Sequence, residues 1–337
     1  VQVHSPASGV IPYEINASLW HDGATVERWL ALPESTAITL YPDTGKPMPS
    51  RYYARKFPLH FPKDAVLLKT LAMDLEVGDP NSRRRIETQL LHFDGTNWRA
   101  YSYKWREDQS DADLVSPEGD EQTLSIRDAA HPSGSYDYVW RFHDRVQCMT
   151  CHNDWAKFTL GFDVPQLNRE VDDAAGRVNQ LVRLCRTGHL IRRSHENEPQ
   201  PKFDKKNVVS QPRIPNPFDP TDGSLNDRAR GYLHANCSHC HRYGGGGLVG
   251  LSLVFDKPLA ETGALVAPIR GDFGLPEPRV VAPGSFQHST MYYRMSKFGR
   301  DRMPHIGAEL PDESGLRLIA DWITSLNSQV SPSGQLP

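Results

Sequence analysis

Four of the five cysteines in this chain stand in two copies of one pentapeptide pattern, Cys148-Met149-Thr150-Cys151-His152 and Cys237-Ser238-His239-Cys240-His241, and Cys185 is left over. No other feature constrains the fold as much. A disulfide framework spreads an even number of cysteines through a short chain, whereas this chain has 337 residues and gathers its cysteines in two tight pairs. Two Cys-x-x-Cys pairs are also enough for a tetrahedral zinc site. Zinc, however, asks nothing of the residue after each second cysteine, and here both pairs are followed at once by histidine.

Cys-x-x-Cys-His has a chemistry that uses all three side chains. Two thiols three residues apart each form a thioether with one vinyl group of a single haem, and the adjacent histidine falls beneath the iron as an axial ligand. The expectation is two covalently bound c-type haems, held by Cys148, Cys151, Cys237 and Cys240, with His152 and His241 on the iron. That chemistry places the protein in the periplasm or outside the cell, and Val1-Gln2-Val3-His4-Ser5-Pro6 reads as a mature or trimmed N-terminus. A net charge of −3 gives no basic footprint for nucleic acid. No run of 18 apolar residues exists, so no membrane span is expected.

Residues 1–145 read as a β-rich domain, an antiparallel sheet or sandwich. Val66 to Met73 is a strand-length apolar run, and Arg85–Phe93, Asp94-Gly95 and Trp98–Trp105 read as a hairpin. Tyr101, Tyr103 and Trp105 share one face at period two, as do Tyr136, Tyr138, Trp140 and Phe142. Prolines 33, 42, 47, 49, 58 and 62 break the early segment into short pieces. Residues 146–195 form a first haem-binding segment, in which Leu167, Val171, Ala174, Val178, Leu181 and Cys185 predict one helical stripe ended by Gly188. Cys185 is then a small buried hydrophobe. Residues 196–222, polar and rich in Pro and Lys, read as a linker.

In residues 223–330, Ser224 to Asp227 has the form of a capping box before a helix that runs into Cys237. Asp312 starts a last helix with apolar positions Leu316, Ile319, Ala320, Ile323 and Leu326, and Met303-Pro304 lies between the two helices. On these features residues 221–328 resemble a class I cytochrome c. The resemblance implies a mostly helical C-terminal domain, a proximal role for His241, thioethers at Cys237 and Cys240, and Met303 as distal ligand. Met291 and Met295, at helical spacing, read as core. The fold class expected for the whole chain is α+β and multidomain. The distal ligand of the first haem stays open at this point among Met73, Lys69, His143, His189, His195, His21, His60 or an open position.

The whole chain further resembles a little-characterised family of secreted bacterial dihaem c-type cytochromes. The matching residues are Leu19 to Ala24 with Arg28-Trp29, Arg84 to Thr88, Tyr101 to Trp105 with Asp111-Ala112, Gln147 to His152, Leu160 to Phe162 and Gln166 to Asn168. Related modules beside sugar-dehydrogenase-like β-propellers imply an electron acceptor for such an enzyme. The expected partners are a dehydrogenase donor and a cytochrome or oxidase acceptor. The alternative is a haem enzyme, peroxidase-like or acting on small molecules, whose open first haem is fed by the second.

Overall fold

The computed structural model describes residues 6–41, 59–174, 176–194, 197–247 and 249–326. Pro42, Pro47, Pro49, Pro58, His195 and Val1 to Ser5 lie outside these residues. The chain is α+β and forms two compact units, and neither unit is one continuous stretch. The first comprises 1–14, 23–152 and 169–211; the second comprises 15–22, 153–168 and 212–337. The linear segments 1–145, 146–195, 196–222 and 223–330 therefore do not coincide with the units. Within 196–222, Phe203, Val208 and Ile214 are buried.

The strands of the first unit are β1 (Ile11–Pro12), β2 (Thr25–Ala31), β3 (Ile38–Leu40), β4 (Leu59–His60), β5 (Val66–Asp74), β6 (Arg83–Phe93), β7 (Trp98–Trp105) and β8 (Ala112–Leu114). β9 (Asp120–Arg127) and β10 (Ser135–Phe142) follow, and then helix α1 (Arg145–Cys151). A six-stranded antiparallel sheet has the order β1-β2-β5-β6-β7-β8. The expected hairpin is β6–β7, closed by Asp94, whose carboxylate accepts from Thr96 N and Asn97 N. β9 and β10 form a separate antiparallel pair, and β3 joins β4 and a later strand, β13 (Leu190–Arg192), in a three-stranded sheet.

One face of the large sheet carries Arg28, Lys69 and Gln89 in one cross-strand row and Leu71 with Glu87 in the next. Pairing slips there, from Leu71 opposite Glu87 to Ala72 opposite Arg85. The bulge leaves Ile86 as an extra residue on β6, and Ile86 and Glu87 are both buried. The Glu87 carboxylate accepts from Ser102 Oγ at 2.6 Å, Gln89 Nε2 at 3.1 Å and Trp140 Nε1 at 2.9 Å. A buried carboxylate needs such donors to offset its lost hydration.

The single helix expected over Leu167 to Cys185 is overturned. The chain forms α2 (Val164–Leu167), a β-hairpin of β11 (Glu170–Asp173) and β12 (Gly176–Asn179), and then α3 (Gln180–Arg186). Val171 and Val178 face each other across the hairpin. β-Branched valines favour that pleated pairing, and Gly176, at φ +102°, supplies a backbone turn closed to other residues. Asn179 then caps α3, its side chain accepting from Leu181 N. Cys185 is 1 % exposed, the buried hydrophobe expected.

The second unit is built on α4 (Leu225–Cys237), α5 (Thr290–Ser296) and α6 (Glu313–Ser325). Ser224 caps α4 through Asp227 N, and Asp312 caps α6 through Ser314 N and Gly315 N. Ala229, Tyr232 and Leu233 of α4 form one core cluster with Leu318, Ile319, Trp322 and Ile323 of α6. A Cβ at Gly315 would collide with the Tyr232 ring, so the two helices meet where one has no side chain. Residues 15–22 and 153–168 are knitted into the same unit by buried amides. Gln166 reads Ala17 reciprocally, Oε1 accepting from its N at 2.8 Å and Nε2 donating to its O at 2.9 Å. Asn16 Nδ2 donates to Pro165 O and Asn168 O, both at 3.1 Å.

Candidate functional site

In the second unit α4 ends within the second pentad. Cys237 is its last residue and Ser238 its cap, and His241 N donates to Cys237 O at 2.8 Å to continue the turn. Neither Cys237 nor Cys240 is in a disulfide. Burial pushes the Cys237 thiol up to about 12, with Cys240 adding to the shift. Cys237 is therefore held neutral, without the thiolate that nucleophilic chemistry needs.

His241 Nδ1 is fully buried and has no hydrogen-bond partner among the described residues. Burial lowers the pKa of this imidazole, and Arg294 and His305 are among the charges that lower it further. Gly247 keeps the space beside the ring clear: a Cβ there would lie 2.9 Å from His241 Nδ1 and 3.0 Å from Cys240 O. Buried polar atoms are seldom left orphaned. Two cysteines outside any disulfide, three residues apart and followed by an imidazole, are the donor types that a thioether-bound porphyrin iron takes.

The chain around this pentad is fixed by its own backbone. Gly247 N donates to Cys240 O at 3.0 Å and Leu253 N to His241 O at 2.8 Å. Arg242 donates Nε to Ser238 O at 2.5 Å, Nη2 to Ser238 Oγ at 3.0 Å and Nη1 to Trp155 O at 2.9 Å. A Cβ at Gly244 would fall inside the Trp155 ring, which also meets Tyr243 edge-on at 5.3 Å. His234, within α4, accepts from Phe255 N at 3.0 Å through Nδ1. Burial, followed by Arg242, drives its pKa down to about 3.

Met303 is half-buried on the loop between α5 and α6, and its N donates to Arg294 O at 2.8 Å. His305, two residues on, has its pKa lowered by burial and is opposed in this by the Cys240 thiol, so this loop shares the electrostatic surroundings of the pentad. Met291 and Met295 lie on α5 and pack against the helix core, as expected. The far side of the loop is anchored by residues 15–22. The Asp22 carboxylate accepts from Glu309 N at 2.9 Å and Leu310 N at 2.7 Å, and Trp20 Nε1 donates to Leu310 O at 2.8 Å.

In the first unit the first pentad occupies α1 and its end. Asp144 and Gln147 form a reciprocal capping box, Cys148 and Cys151 lie on the helix, and His152 N caps it onto Cys148 O at 3.0 Å. Burial pushes the Cys148 thiol up to about 11, Glu87 adds to this and Lys69 opposes it. Lys69 is the reciprocal case: burial lowers its pKa to about 8, Arg28 adds to the fall, and Glu87, Cys148 and Cys151 oppose it. Of the candidates for a distal ligand, Lys69 is thus brought into the surroundings of both cysteines. Met73 lies buried on the same strand.

Four of the other candidates, all histidines, lie among the described residues. His143 Nδ1 lies 3.2 Å from Gln147 Oε1 at the start of α1, and His189 Nδ1 lies 2.7 Å from Thr187 Oγ1. His60 packs edge-on to Tyr41 at 4.7 Å, and His21 is buried in the second unit. Sequence reasoning missed Arg242, which carries no motif of its own, and the anchoring role of Trp20 and Asp22, whose motif was visible without its contacts. No protein-family model, no curated protein and no solved structure matches the chain.

Proposed function

We propose that the protein is a dihaem c-type cytochrome of the bacterial periplasm or cell envelope that transfers electrons, belonging with the secreted dihaem cytochromes its motifs resemble. Cys148 and Cys151 hold one haem with His152, and Cys237 and Cys240 hold the other with His241 in a class I cytochrome c-like setting. The observation that carries the reading is the second pentad at the end of α4, where two cysteines outside any disulfide stand three residues apart with the His241 imidazole next in the chain. When bound, each haem supplies a one-electron couple whose potential is set by axial ligands, burial and nearby hydrogen bonds.

The chain's own residues do the rest. Met303 offers a soft thioether, which favours ferrous iron and raises the potential, and its backbone is tied to α5 through Arg294 O. Gly247, Leu253 and Arg242 fix the pentad's carbonyls and so hold His241 in place. On the first unit, Lys69 is the distal candidate that its surroundings favour. With Met303 and Lys69 as distal ligands, the bound haems would serve electron relay from a dehydrogenase donor to a cytochrome or oxidase acceptor and would leave no position open for a substrate.

The test is the intact mass of the protein exported to the periplasm of a host that matures c-type cytochromes. Two covalent haem additions are expected, with Cys148→Ala/Cys151→Ala and Cys237→Ala/Cys240→Ala each removing one. Fewer than two additions on the parent chain overturns the reading.

A further inference from the structure

The strap formed by residues 15–22 touches both ends of the second site. Trp20 N donates to Asn236 Oδ1 at 2.8 Å, one residue before Cys237, and Trp20 Nε1 donates to Leu310 O at 2.8 Å. Asp22 is 8 % exposed and accepts from Glu309 N with both carboxylate oxygens at 2.9 Å, and from Leu310 N at 2.7 Å. These residues therefore tie the thioether-bearing end of α4 to the backbone downstream of Met303. Bonds to a charged acceptor are about twice as strong as neutral ones, and a buried N–H that loses its acceptor bears the full desolvation cost.

We propose that Asp22 and Trp20 are positioning residues that hold the Met303 loop closed over the second haem and thereby set its ligation and its potential. This rests on the dihaem reading, with Met303 as distal ligand. Asp22 touches neither iron nor porphyrin. It acts by keeping Glu309 and Leu310 in place, so that the loop bearing Met303 has one closed geometry rather than several. A loop held this way opens rarely, and an exogenous ligand reaches the ferric iron only when it opens.

The test uses the full-length holoprotein, with Met303→Ala as the reference for a lost thioether–iron absorption band. In Asp22→Ala the band is expected to weaken, the second haem's potential to fall, and ferric capture of imidazole to quicken about tenfold. The first haem's potential stays put. Asp22→Asn keeps one acceptor oxygen and falls in between. An Asp22→Ala protein that matches the parent in band, potential and capture rate overturns the proposal. If that variant does not fold, Trp20→Phe removes only the indole bond to Leu310, and capture should quicken roughly two- to fivefold; an unchanged rate overturns the proposal. A parent protein with a second haem but no thioether band defeats Met303 ligation itself. That outcome is distinct from an unchanged Asp22 variant, which defeats the strap alone.

Discussion

His234 shows what burial does to an ionisable group beside the second pentad. Its pKa falls from 6.5 to about 3, chiefly by burial, while Nδ1 serves as acceptor for Phe255 N. Between those values the unfolded chain binds the proton and the folded one does not, so stability falls as pH drops below 6.5 and goes on falling towards pH 3. His234→Asn keeps an acceptor oxygen and removes the titration. Its thermal midpoint should therefore vary less with pH across that window than the parent's, and equal slopes would remove His234 as the cause. Lys69 is the opposite kind of residue, one whose position suggests a role. An amine binds iron only through its lone pair, and a pKa near 8 in place of 10.5 makes the neutral form far cheaper at neutral pH. Lys69→Ala is expected to turn the ferric first haem high-spin by paramagnetic resonance while the second signal persists. Met73→Leu should leave both signals unchanged; the reverse pattern would assign the ligand to Met73.

At the level of elements, what the sequence made legible was whatever local patterning decides. The β6–β7 hairpin could be read from its turn residues, and α4 and α6 from their caps and apolar spacing, because these depend on neighbours in the chain. The stripe Leu167 to Cys185 misled because Val171 and Val178 fit a helical period and a hairpin equally well, and Gly176 at positive φ decides between them. The pentads stand out as candidate sites by spacing alone, whereas the surroundings of Lys69 depend on pairing across three strands, which no local pattern encodes. The point at which α4 and α6 meet was equally hidden, since Gly315 looks like an ordinary weak helix residue. Its lack of a side chain admits the Tyr232 ring, which is 4 % exposed and bonded to Asp312. Gly315→Ala should lower stability by about 1–3 kcal/mol through overpacking, despite alanine's better helix propensity. In a chemical-denaturation double-mutant cycle with Tyr232→Leu, the two changes should be non-additive, because removing the ring removes the clash. Additive effects would mean that the helices do not depend on this contact.

At the scale of the molecule, the second unit is assembled from three stretches of chain, and each contributes something the others lack. Residues 212–337 bring the pentad, Met303 and the helix core; residues 153–168 bring Trp155, which covers Gly244 and accepts from Arg242; residues 15–22 bring Trp20 and Asp22. A chain of 212–337 alone would retain α4, α5 and α6 and their shared core, so haem attachment at Cys237 and Cys240 is expected to survive. What it loses is hydrogen bonding at both ends of the site: Asn236 Oδ1 without Trp20 N, Arg242 Nη1 without Trp155 O, and Glu309 N and Leu310 N without Asp22. Each buried donor left without an acceptor costs about 1–3 kcal/mol unless water replaces it. The short chain should therefore melt well below the second unit of the full protein and show a weakened thioether–iron band. Joining 153–168 to its N-terminus through a flexible linker should recover part of the melting temperature but not the band, because Asp22 and Trp20 are still missing. If 212–337 alone matches the full protein in both measurements, the three-stretch unit has no energetic meaning and the C-terminal stretch is self-sufficient. If the added 153–168 segment restores the band by itself, the loop is governed from the Gly244 side of the pentad rather than from Asp22.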